Sequence, residues 1–277
     1  MPLAQNHGAK IYWDQQGEGS PLLLIMGLGW TSHMWYRSRP ILAEKFCTIA
    51  LDNRGVGRSE VRPGPYSIAL MASDAAAVLD AAGVESAHIC GMSMGGMIAQ
   101  EFALQYPQRI RSLILGCTAA GGPHAVQAER EVIQLLLAPH GDPEDMAKAI
   151  YPYIYDAGTS DSRKEEDLAV RRPWFPTAEG YLAQWQGIMA WEAYSRLPQI
   201  TAPTLVIHGD SDRLIPPENG RRIAARMPNA RLEILPRASH IFATDQTEAA
   251  HHAMLDFLST QANNQQQPRN GVTRASS

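Results

Sequence analysis

Long apolar runs are missing from this chain. No stretch of about 18 apolar residues occurs, so no transmembrane helix is expected. The first twenty residues carry His7, Lys10, Asp14 and Glu18 without a continuous apolar segment, so no secretory signal is expected either. Cysteine is scarce. Cys47, Cys90 and Cys117 are odd in number and far apart, which argues against a disulfide framework and fits reduced thiols in buried strands of a cytoplasmic protein. No cluster of His, Cys and Asp has metal-ligand spacing, so no metal is expected. Excess charge of one sign is absent too. The net charge of −4 and pI near 6.1 give no electrostatic case for nucleic acid or an anionic membrane as partner. What is present is globular: 45% apolar and 19% charged residues over 277 positions, enough for one large α/β domain or two ordinary ones.

Residues 9–15 read as an edge strand, turned by Gly17-Glu18-Gly19. Leu22-Leu23-Leu24-Ile25-Met26 is apolar at every position, which suits a strand covered on both faces. It ends in Gly27-Leu28-Gly29-Trp30. A helix over 34–44, a buried strand over 46–51, a helix over 68–82, a strand over 85–90, a helix over 97–106 and a strand over 110–117 follow. This order predicts a mostly parallel central sheet with helices on both faces. The rhythm breaks after Ala119, where helical patterns and an aromatic-rich tract replace strands, and resumes with strands at 204–208 and 230–235 and helices at 217–227 and 246–260. The insert of roughly 75 residues is too long for an ordinary loop. The expected organisation is a sheet core over 1–118 and 198–261, a helical cap or lid over 119–197, and a disordered polar tail over 262–277.

Within Cys90-Gly91-Met92-Ser93-Met94-Gly95-Gly96 lies Gly-x-Ser-x-Gly, set between a predicted strand and a predicted helix. That context turns the pattern into a nucleophile elbow. The turn cramps the serine backbone and lifts its hydroxyl clear of the sheet, while Gly91 and Gly95 spare their neighbours a Cβ. A serine hydroxyl needs a base, usually a histidine oriented by a carboxylate. Of nine histidines, His240 is the best placed, in the loop after the last strand. His251 and His252 read as solvated helix positions and His208 as a partly buried strand end. His7, His124 and His140 have no evident partner. The carboxylate is Asp210 or Asp212, in His208-Gly209-Asp210-Ser211-Asp212-Arg213-Leu214-Ile215-Pro216, and residue chemistry alone does not separate them. The backbone N–H groups of Met94, at a helix N-terminus, and of Leu28, between two glycines, are the candidate oxyanion donors. Trp30, His33, Trp174, Trp185 and Trp191 are the candidate pocket side chains, with packing between cap and core as the competing role of each tryptophan and a surface position as that of His33.

Met26-Gly27-Leu28-Gly29, Gly91 to Gly95, Gly209 to Pro216 and Ser239-His240 occur in the order found in the α/β-hydrolase superfamily, which the chain resembles over nearly its whole length. The superfamily's acid motif resembles Gly-x-x-Asp-x-x-(Ile/Val)-Pro, which implies Asp212 as the acid and Asp210 as a turn residue. Two departures stand out: Met26 where many members have histidine, and Ser239 where glycine is usual. Asp52 to Ser59 resembles a structural arginine-glycine loop of the same proteins. An aspartate at the nucleophile marks the superfamily's dehalogenases, and Ser93 excludes them. The resemblance implies a cofactor-independent serine hydrolase (Ser93, Asp212, His240) of small carboxylic esters or lactones, nearest to esterases and enol-lactone hydrolases. A single-glycine oxyanion loop resembles those that handle unhindered esters. The alternatives are C–C bond hydrolysis, cofactor-free haloperoxidase or perhydrolase chemistry, epoxide or thioester cleavage, and a non-catalytic ligand-binding member of the fold.

Overall fold

The computed structural model describes residues 1–137 and 142–266. Eight strands form one sheet: β1 (Leu3–Asn6), β2 (Ala9–Gln16), β3 (Ser20–Ile25), β4 (Phe46–Leu51), β5 (Ala87–Met92), β6 (Ile110–Gly116), β7 (Thr204–Gly209) and β8 (Ala230–Leu235). Their spatial order is β1-β2-β4-β3-β5-β6-β7-β8. The two pairings made by β2 are antiparallel and every other pairing is parallel. This is the mostly parallel sheet expected. The strand over residues 9–15 is not the edge, because β1 pairs outside it.

Parallel strands are joined by crossovers that cover both faces, so their residues are buried alternately on two sides. In β3, Leu23 and Ile25 face one core with Ile49, Ile89 and Leu113, under the helices Ile68–Ala81 and Met94–Gln105. Leu22 and Leu24 face the other, with Cys90, Ile114 and Leu205, against the final helix Thr247–Gln266. The apolar run is therefore two interleaved faces rather than one greasy strand. Where one helix was expected over 34–44, the chain makes a 3₁₀ turn, Ser32–Trp35, and a single helical turn, Arg39–Leu42. Pro40 is the cause: it lacks an N–H and its ring blocks helix before it. Cys117 lies one residue beyond β6 with φ 42°, not within the strand.

β6 and β7 pair directly, from Leu113↔Thr204 to Gly116↔Ile207, so everything between them is an excursion beyond the carboxyl ends of the sheet. It contains the helices Arg130–Leu137, Pro143–Ala149, Tyr151–Ile154, Asp161–Arg171 and Ala178–Met189. Its Val132, Ile150, Tyr153, Ile154 and Tyr155 form a small apolar cluster of their own, which also touches Ile241 beside His240. The last helix runs to Gln266, so the first residues assigned to the tail are helical; 267–277 and His140 lie outside the described residues. No helix among the described residues is long and apolar enough to cross a membrane.

Candidate active site

Ser93 joins β5 to the helix Met94–Gln105 with φ 56° and ψ −121°, a region non-glycine residues rarely occupy and that costs on the order of 1–3 kcal/mol. The surroundings explain why the turn holds. Its ends are pinned by Ser93 N donating to Gly116 O (2.9 Å) and by the Thr118 hydroxyl donating to Ser93 O (2.7 Å). A Cβ on Gly91 would lie 2.1 Å from Gly95 O, and one on Gly95 would lie 2.1 Å from Ile25 O. The two glycines of the motif are thus demanded by close backbone approach. The helix begins at Met94, three residues earlier than the sequence pattern suggests, which puts its N-terminus directly behind the serine.

The loop after β3 lies against the same residue. A Cβ on Gly27 would be 3.0 Å from Ser93 Cβ and 3.4 Å from Ser93 Oγ. Asn53 Nδ2 donates to Met26 O (2.8 Å), and Gly29 N donates to Gln184 Oε1 (2.9 Å). Gln184, fully buried on the helix Ala178–Met189, also donates to Arg54 O (2.8 Å). One buried side chain of the inserted segment thus braces the loop carrying Leu28. Sequence reasoning missed it, since glutamine inside an amphipathic helix carries no motif. Asp52 accepts from Ser32 N (2.8 Å) and Arg58 N (3.0 Å), holding the same loop from the core side.

The two aspartates separate cleanly in space. Asp212 is buried, and its Oδ2 accepts from His240 Nδ1 at 2.9 Å. Its Oδ1 accepts from Leu214 N (3.0 Å) and Ile215 N (2.8 Å). Asp210 is exposed, and its side chain makes only a long contact to Ala238 N, 3.4 Å. His208 is not partly but fully buried, and its Nε2 lies 2.7 Å from Ile215 O and 3.2 Å from Asp212 Oδ2. Two oxygens face Nε2, which makes it the donor. Asp212 therefore carries a second imidazole that the sequence pattern did not flag. Burial would raise the Asp212 pKa, but His240 and His208 outweigh it and hold the carboxyl below the usual range.

His240 donates through Nδ1, which turns Nε2 toward the cavity. Burial opposes its charged form, yet the adjacent Cys117 sulfur and the Asp212 carboxylate raise its pKa well above 6.5. No hydrogen bond joins Ser93 to His240 in this structure; both line one cavity of about 400 Å³, which Leu28, Met94 and Cys117 also line. Such bonds are often loose in free enzymes and tighten with substrate. Of the aromatic candidates, Trp30 and Trp185 reach the cavity and the others do not. His33 stacks on Trp174, ring centroids 4.4 Å apart, at the seam between core and insert. Trp191 donates to Glu101 Oε2 (2.8 Å), which keeps its ring in the packing beneath the insert. His251, expected in solvent, is buried against Ser38 Oγ (2.9 Å). No group of three or more His, Cys, Asp or Glu among the described residues could hold a metal ion.

Residues 20–246 match the family model described as alpha/beta hydrolase fold. The chain belongs to the α/β-hydrolase family. Within it, the chain is 33% identical over 260 residues to a provisionally named carbamate hydrolase, RutD, of Azorhizobium caulinodans, covering 93% of this chain and 98% of that one. Among solved α/β-hydrolase structures, the enol-lactonase of Burkholderia xenovorans LB400 superposes with a TM-score of 0.83 at 29% identity, covering 93% of this chain and 100% of that one. A thermophilic esterase from Thermogutta terrifontis gives a TM-score of 0.81 at 27% identity, covering 94% and 97%.

Proposed function

We propose that this α/β-hydrolase cleaves small carboxylic esters or lactones through an acyl-enzyme on Ser93. The observation that carries the reading is the strained Ser93 backbone in a cavity that is also lined by a histidine whose Nδ1 is bound to a buried carboxylate. In this mechanism Ser93 Oγ attacks the carbonyl carbon while His240 Nε2 takes its proton. Asp212 fixes the tautomer and stabilises the imidazolium. The N–H groups of Leu28 and Met94 hold the tetrahedral oxyanion, the second of them at the positive end of a helix. The C–O bond to the alcohol breaks as His240 protonates the leaving oxygen. His240 then draws a proton from water, which attacks the acyl carbon, and returns that proton to Ser93 Oγ as the acyl–Oγ bond breaks and the acid leaves. The segment 119–197 serves as the lid that selects the substrate.

A fluorophosphonate probe tests this directly. It should label Ser93, and wild type should turn over p-nitrophenyl butyrate while Ser93→Ala does not. Labelling without turnover of any ester, lactone or carbamate would favour a ligand-binding protein and sink the hydrolase reading. A carbamate belongs in that panel because of the name borne by the Azorhizobium relative.

A further inference from the structure

Besides the thiol of Cys117 and the phenol of Tyr181, four side chains of Arg, Asp or His line the cavity that holds Ser93: His240, Arg37, Asp167 and Arg171. His240 belongs to the proposed catalytic group. Arg37 and Asp167 are partners, with Nε 3.0 Å from Oδ1, and Arg37 also holds Glu166 at 2.8 Å. Asp167 is further occupied by the Tyr36 hydroxyl, the Tyr155 hydroxyl (2.9 Å) and the Thr244 hydroxyl (2.7 Å). Its lone pairs are spent.

Arg171 is left over. It ends the helix Asp161–Arg171, and its guanidinium centre lies 5.0 Å from the Trp30 ring and 5.2 Å from the Phe175 ring. Its Nε is buried with no hydrogen-bond partner, and no carboxylate pairs with it among the described residues. Arg54, Arg58, Arg172, Arg196 and Arg213 each hold one. Burial works against its charge, and the groups around it are the phenols of Tyr181, Tyr155 and Tyr151, not an anion. Arginine does not discharge itself in proteins, so a half-buried guanidinium whose Nε is shut off from water and unpartnered is costly unless something else supplies the anion. Aromatic rings on the guanidinium hold its plane in place, which preserves the two-pronged edge that fits a carboxylate.

We propose that Arg171 is a carboxylate anchor, and that the substrate is an ester or lactone whose acyl part carries a second, remote carboxylate. This rests on the ester-hydrolase reading above. One spare positive charge among otherwise neutralised lining groups fits a singly charged planar anion rather than a phosphate dianion. An anchor on the acyl side also keeps the acyl-enzyme seated while water replaces the alcohol.

Monomethyl adipate and methyl hexanoate have acyl chains of equal length and differ in the terminal carboxylate, so their hydrolysis by the full chain, followed by pH-stat, isolates the anchor. Wild type should favour the half-ester in kcat/KM by at least about tenfold, the lower end of what a desolvated charged hydrogen bond gives. Arg171→Met should bring that ratio down to about one, and Arg171→Lys, which keeps the charge and loses the fork, should fall between. A wild-type preference for methyl hexanoate would overturn the proposal without recourse to any variant, and so would a ratio that survives Arg171→Met. Failure to hydrolyse either ester, together with no fluorophosphonate labelling, would bring down the hydrolase reading and this proposal together.

Discussion

His208 offers a test of how the acid is held. Asp212 Oδ2 accepts from His240 Nδ1 at 2.9 Å and faces His208 Nε2 at 3.2 Å, whose N–H is shared with Ile215 O at 2.7 Å, while Oδ1 receives two backbone amides. His208→Leu keeps much of the volume and removes one of the four donors. A hydrogen bond to a charged group contributes about 1.5–3 kcal/mol. At roughly 2–3 °C per kcal/mol for a chain of this size, the Tm should fall by about 3–9 °C. The electrostatic consequence has a definite sign. With fewer donors, negative charge on Oδ2 is less shared, so Asp212 stabilises the His240 imidazolium more strongly and the His240 pKa rises further. As the proposed base, His240 is competent only when neutral, so activity should be lost as pH falls through that pKa. The acid limb of kcat/KM for p-nitrophenyl butyrate should therefore lie above 6.5 in wild type and move to higher pH in His208→Leu. His208→Gln, which returns a donor near the position of Nε2, should restore the limb. A limb that stays put in His208→Leu while Tm falls would show that His208 only fills space, and the reasoning about charge on Asp212 would be wrong.

Other substitutions separate neighbouring roles. Asp212→Asn should lower kcat by about 10³–10⁴-fold, whereas Asp210→Asn, exposed and weakly bonded, should change it by less than about threefold. Equal losses would mean that the acid has been misplaced. Arg54 Nε and Nη2 both lie 2.5 Å from the buried Asp74 carboxylate, so Arg54→Met strands that charge and should cost about 3–5 kcal/mol in a denaturant titration. A cost under about 1 kcal/mol would show that Asp74 finds another partner or takes up a proton. The Gly27-Leu28-Gly29 loop, braced by Gln184 and preceded by Met26 O on Asn53, resembles the single-glycine loops that handle unhindered esters. A tert-butyl ester should turn over far more slowly than the matching n-butyl ester, and comparable rates would refute that.

Legibility in the sequence followed the range of the forces involved. β3 and β4 could be read because a strand buried on both faces is apolar at nearly every position, and β4 falls on the residues expected. The elbow could be read because backbone packing at Gly91 and Gly95 tolerates no side chain, a constraint written in residue identity. Asp212 needed the resemblance, since two aspartates two residues apart differ only in which way the turn points them. His208 escaped although Asp212 is only four residues away, because a histidine closing a strand reads as core. Gln184 and Cys117 escaped because each acts through a partner distant in the chain: Gln184 reaches back 155 residues to Gly29. The same holds for the pocket. Composition put an equal claim on four tryptophans, but burial of an aromatic ring does not say what it is buried against. Trp191 found Glu101, Trp174 found His33, and only Trp30 and Trp185 met the cavity.

The residues that distance concealed share a direction. Gln184 ties the insert to the loop of Leu28, Asp167 ties it to Tyr36 and to Thr244 beyond His240, and Ile154 O accepts from Ile241 N next to His240. The insert is bonded to both loops that the proposed chemistry uses, rather than resting on the sheet. If this segment is the proposed lid, its helices cannot shift without moving the proposed oxyanion donor or the proposed base. Substrate selection and alignment of the catalytic groups then become one event, and a substrate that fills the cavity poorly should lose kcat as well as binding.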